Sequence, residues 1–206
     1  MRTTKIMINS LGYGMENALD EVENFSRDMG FDQRSARRAR LLAEETMSMV
    51  RAIVEDFSAD FWMEGSPDGQ CELHLLALTS MNYDKKQELI STSTQKRNEA
   101  SVGIMGKIKD FIEDSLYNIQ DGAAVSVGDM HCMNMGCVGM VQDAYMWSLE
   151  KYREDVEKKV DEDAAMEDAL DELEKSIVAN IADDVRVAVD GNNIEMIISK
   201  KFNIPA

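Results

Sequence analysis

Proline is nearly absent, with 2 in 206 residues, which excludes long proline-rich linkers. Cysteine is scarce and odd in number, 3, with no CxxC spacing. That argues against a disulfide framework and for reduced thiols in a cytoplasmic protein. Histidine occurs only twice, at His74 and His131. No Ser-His-Asp constellation, P-loop or HExxH motif occurs. No apolar run reaches the roughly 18 residues of a membrane span. The first residues, MRTTKIMINSLGYGM, lack the apolar core of a signal peptide, so neither membrane insertion nor export is expected. Basic residues are outnumbered, 22 against 39 acids, for a net charge of −17. A phosphate backbone would be repelled, so broad nucleic-acid binding is excluded.

What is present is an ordinary globular mixture, 44% hydrophobic and 30% charged. The length suits one core, or one domain with an extension. Sixteen methionines favour a plastic core or an adaptable interface. Charge is uneven. Residues 150–184 hold 14 acids and 5 bases, so 14 − 5 leaves an excess of 9 acids. Residues 34–40, RSARRAR, carry Arg34, Arg37, Arg38 and Arg40. Such a run takes an anion or acidic partner, or is the solvated start of a helix, the commoner case.

Element signals follow in order. TKIMINS reads as a short strand. MENALDEVENFSRDMG places Met15, Leu19, Val22 and Met29 on one helical face and ends at Gly30. A second helix over FDQRSARRARLLAEETMSMVRAIVEDF is capped by Asp32, with the stripe Ala39, Leu42, Ala43, Thr46, Val50 and Ile53. Two strands flank the turn GSPDGQ. Residues 79–101 read as a polar loop with a short helix. VGIMGKIKDFIEDSLYNI returns to helical spacing through Ile104, Ile108 and Ile112. After an irregular Gly- and Met-rich stretch, Leu149, Tyr152, Val156, Val160, Met166, Leu170, Leu173, Ile177 and Ile181 trace a helical hairpin or a broken long helix, slipping phase near Asp163. DVRVAVDGNNIEMIISKKF reads as a β-hairpin. The expected fold class is therefore α+β: a two-layer α/β sandwich, mostly antiparallel, with helices on one face and a helical insertion. Its expected division is 1–118 with 183–206 as the sandwich, and 119–182 as the insertion.

This order resembles the GHKL-type ATPase domain of gyrase, Hsp90, histidine kinases and MutL, above all the small anti-sigma-factor kinases. The resemblance implies a sheet covered on one face by helices, with nucleotide between two helices under a lid. EETMSM stands where that family carries its N box, so Glu45 matches the glutamate that activates water or an acceptor hydroxyl. Met49 stands at the magnesium-binding asparagine position, and a thioether is a poor magnesium ligand. No Asp-x-Gly-x-Gly follows CELHLLALT; Thr79 lies near the adenine-reading aspartate's place. SVGIMGKIKDF aligns with the third box through Ser101, Gly103 and Gly106. KKFNIP resembles the family ending. The resemblance covers about residues 1–118 and 183–206.

Each candidate has a plainer reading beside it. Glu45, Met49, Ala52 and Asp56 share a helical face beside the apolar stripe, so Glu45 stands evenly between catalytic base and surface acid, whereas Glu44 reads as a surface acid. GDMHCMNMGCVGM groups soft donors suited to Cu(I), but matches no zinc spacing; a Met-rich turn or interface is the commoner meaning. STSTQKRNE either wraps phosphates or forms a polar loop.

Three functions are therefore expected in turn. The first is a regulatory protein that binds a protein partner, sigma-factor-like or anti-anti-sigma-like by resemblance, with Mg–ATP chemistry degenerate or absent. The second is an active ATP-dependent kinase or ATPase with Glu45 as base. The third is a non-enzymatic homodimer joined through residues 141–182.

Overall fold

The computed structural model describes residues 1–54, 56–79, 103–120, 146–159, 164–190 and 192–205. The polar stretch 80–101 and the Met- and Cys-rich stretch 130–140 lie outside them. β1 (Ile6–Asn9) leads to α1 (Met15–Asp28) and α2 (Gln33–Ile53). β2 (Phe57–Gly65) and β3 (Gln70–Thr79) form the first hairpin. Then come α3 (Gly103–Gln120), β4 (Met146–Ser148), α4 (Leu149–Lys159), α5 (Ala164–Lys175) and α6 (Ile177–Ile181). β5 (Asp184–Asp190) and β6 (Asn193–Lys201) form the second hairpin.

The strands make one antiparallel sheet in the order β1-β2-β3-β6-β5-β4. Period-two alternation divides its faces. Ile8, Phe57, Ala59, Phe61, Met63, Leu73, Leu75, Ala77, Val185, Val187, Ile194, Met196 and Ile198 are buried and belong to one core that also contains the helices' inner faces. Full burial of such a side chain stabilises by about 1.5–3 kcal/mol. The other face carries Asp60, Trp62, Glu64, Glu72, His74, Arg186 and Ser199. The α+β sandwich follows from this segregation.

Local signals set the joints. The Asp32 carboxylate accepts from the Ser35 N–H at 2.6 Å and caps α2. Gly14 adopts φ 75°, and a Cβ there would sit 2.0 Å from the Met7 carbonyl oxygen, so only glycine fits the entry to α1. Gly69 closes the first hairpin at φ 86°, with its missing Cβ 2.3 Å from the Phe202 carbonyl oxygen.

The α2 stripe is buried as its periodicity predicts. Thr46 is tolerated there because its hydroxyl donates to the Leu42 carbonyl at 2.6 Å. The acidic helices fold back on the sheet: Leu149, Val156, Leu173 and Val178 share its core. β4 lies inside the stretch read as loop and helix. Three residues are too few to show a period, and their pairing with β5 makes the strand. Ile177 leaves the expected seam and is exposed. Ser176 breaks the helix ahead of it and accepts from the Ala179 N–H at 3.2 Å, which starts α6 in a new direction. Among the described residues, no helix is long and apolar enough to cross a membrane.

Candidate functional site

The residues to place are those of α2, the end of β3 and the start of α3. On α2 the two adjacent glutamates part company. Glu44 accepts from Arg40 at 3.1 Å, and Arg40 also reaches Glu23 on α1 at 2.7 Å. Glu44 is thus a surface ion-pair acid, and the tie from α2 to α1 runs from Arg40 to Glu23. Such exposed pairs are worth about 0–1 kcal/mol. Glu45 takes no part in this network and is half-exposed.

One turn on, Met49 is 4% exposed and packed in the core. Ile104, Ile108 and Ile112 of α3 belong to the same cluster, and α2 and α3 touch. A magnesium ion does not fit position 49. Its side chain offers sulfur rather than oxygen and is buried among hydrocarbon. Gly103 opens α3, and Gly106 is buried within it. Ser101 lies outside the described residues. Thr79 ends β3 and is buried; its N–H donates to Asn192, and its hydroxyl donates to the Asp56 carbonyl at 3.4 Å. It is thereby tied to Asp56, just ahead of β2. Met49 and Ile104 thus share the core, Thr79 is buried at the end of β3, and Glu45 is half-exposed on α2.

A second cluster sits on the other face of the sheet. Trp62 on β2 and His74 on β3 are cross-strand partners. Lys5 Nζ lies 4.4 Å from the Trp62 ring centre and Arg2 at 5.4 Å. The Trp62 Nε1–H donates to Glu64 at 3.0 Å, and that bond chiefly holds the Glu64 carboxyl below its usual range, with Arg2 helping. Glu72 accepts from Arg186 of β5 at 2.5 Å. His74 Nε2 lies 3.6 Å from Glu72 and 4.0 Å from Glu64, yet neither ring nitrogen has a hydrogen-bond partner among the described residues. Burial pushes its pKa down, against the pull of Glu72, Glu64 and Glu195. Desolvation wins, so at neutral pH the ring is uncharged and these approaches are not ion pairs. The sequence reading missed this cluster. An isolated histidine in an alternating strand was the only signal.

Among the described residues, no group of three or more His, Cys, Asp or Glu could hold a metal ion. The buried Cys71 thiol is pushed up to about 11 by desolvation, which makes it inert at neutral pH. A shallow concavity of about 230 Å³ on the open sheet face is lined by Met7, Ser58, Asp60, Leu76 and Leu78. Another, of about 450 Å³, lies between the N-terminal segment and α1. Neither is lined by Glu45, Met49, Thr79 or Gly106.

Comparison with protein-family models finds no matching family, and comparison with curated proteins and with solved structures finds no similar chain.

Proposed function

We propose that the chain is a regulatory protein with a GHKL ATPase-like fold, acting by binding a protein partner, with Mg–ATP chemistry degenerate or absent. One observation carries this reading. Met49, at the position that would hold magnesium in that family, is a core residue at 4% exposure. Element order and the single helical layer support the likeness in architecture. A sigma-factor-like or anti-anti-sigma-like partner in the cytoplasm, and a retained ATP site, belong to the proposal through the resemblance alone.

The test is a thermal-shift series with ATP, with Mg–ATP and with Mg²⁺ alone. The expected result is that Mg²⁺ adds nothing to any stabilisation by ATP. Mg–ATP at 100 times its dissociation constant would stabilise a competent site by about 2.7 kcal/mol. A magnesium-dependent gain of that size would overturn the reading.

A second reading, an active kinase or ATPase with Glu45 as base, is favoured by one fact. Arg40 engages Glu44 and leaves Glu45 outside the ion pair. It requires turnover that Glu45→Ala abolishes while nucleotide binding survives. Turnover unchanged by Glu45→Ala would remove Glu45 from that role.

A further inference from the structure

Several of the described basic residues of this acidic chain are engaged. Arg2, Lys5, Arg40, Lys158, Arg186 and Lys200 each reach a carboxylate. Arg153 instead donates to the carbonyls of Ala179 and Asp183. Arg34, Arg37 and Arg38 differ. All three are exposed on the first turns of α2, and none has an ion pair among the described residues. At spacing i, i+3, i+4 they form one stripe. Guanidinium groups suit carboxylates, because their planar forks can donate two parallel hydrogen bonds.

The complementary stripe lies on α5. Leu173 is buried and Met166, Ala169 and Leu170 pack against the core. Glu167, Asp168, Asp171 and Glu174 are exposed. Asp171 makes one 3.8 Å contact, with the highly exposed Lys175, which exchanges easily. Read backwards, Arg38, Arg37 and Arg34 have the spacing i, i+1, i+4. Read forwards, Glu167, Asp168 and Asp171 have the same spacing. Two helices laid antiparallel therefore oppose three arginines with three carboxylates.

The occupant of the arginine stripe follows from charge. With its excess of 9 acids, segment 150–184 repels the same segment of another copy, so pairing acidic helix against acidic helix is disfavoured. Its attractive target among the described residues is the Arg34–Arg37–Arg38 stripe, which makes no ion pair there. We propose that the chain associates with a second copy of itself by docking the Glu167–Asp168–Asp171 stripe of one copy, antiparallel, on the Arg34–Arg37–Arg38 stripe of the other. Two-fold symmetry makes the contact twice. It requires no nucleotide, so it stands or falls apart from the reading of the α2–α3 site.

Sedimentation of the full chain at micromolar concentration and several ionic strengths tests it. A dimer is expected that weakens as salt rises. Arg34→Glu/Arg37→Glu/Arg38→Glu raises the dimer dissociation constant at least about tenfold. Glu167→Arg/Asp168→Arg/Asp171→Arg does the same. Mixing these two variants restores a heterodimer, because both of its contacts again join opposite charges. Circular dichroism checks that each variant folds; if a reversal does not, the Arg→Gln and Glu/Asp→Gln/Asn sets replace it and are each expected to weaken the dimer. A monomer under all conditions overturns the proposal. So does a dimer indifferent to the substitutions, or a mixture of folded charge-reversed variants that fails to pair.

Discussion

The indole of Trp62 and the imidazole of His74 lie face to face, ring centroids 4.7 Å apart and planes 2° apart. Both imidazole nitrogens are buried and have no hydrogen-bond partner among the described residues. The groups around it are Glu72 on the same strand, Glu64 on β2, Glu195 on β6, and Arg2 with Lys5 from the N-terminal segment.

Stability is expected to fall on acidification because of His74. Its pKa in the fold lies below the ordinary 6.5. Between those two values the unfolded chain binds more protons, so stability rises with pH there. The loss begins near pH 6.5, grows as pH falls and levels off below the folded pKa. His74→Phe keeps the stack and removes this component. Urea midpoints across that range should show a shallower slope for the variant. Equal slopes would mean that the ring titrates normally in the fold.

Met49→Asn is expected to destabilise by about 2–4 kcal/mol, since it removes buried hydrocarbon and strands an amide in the core. It is not expected to create magnesium-dependent nucleotide binding. Chemical denaturation and the thermal-shift series measure the two effects. A stable variant with a new Mg–ATP shift would show that position 49 can still reach a metal.

Leu173→Ala tests whether the acidic helices belong to the sheet's core. Leu173 is 6% exposed and sits in the shared cluster. The expected cost is about 2–4 kcal/mol, lowering tryptophan-fluorescence and far-UV transitions together. Separate transitions, with the sheet signal unmoved, would mark the helices as an independent unit.

Much of the architecture was legible because it depends on local periodicity. Asp32 announced the start of α2, and the Ala39-to-Ile53 stripe announced its buried face. The turns at Gly69 and around Asp190 announced both hairpins. The failures lie where a signal needed a partner distant in sequence. β4 exists because β5 offers it an edge. Ile177 continues a heptad pattern but follows the Ser176 break, which a spacing count does not see. At the candidate site, the odd residue at position 49 was visible in the sequence, whereas its burial in the core was not.

By itself, then, the sequence determined the acidic balance, the alternation of strands and helical stripes, and the absence of an asparagine at position 49. Those are properties of residues and their near neighbours. Tertiary structure decided that Arg40 also reaches Glu23 on α1, that His74 is stacked on Trp62, and that three arginines on α2 have no ion pair among the described residues. Those outcomes depend on which distant side chains the fold brings within a few ångströms, and no local pattern encodes that distance.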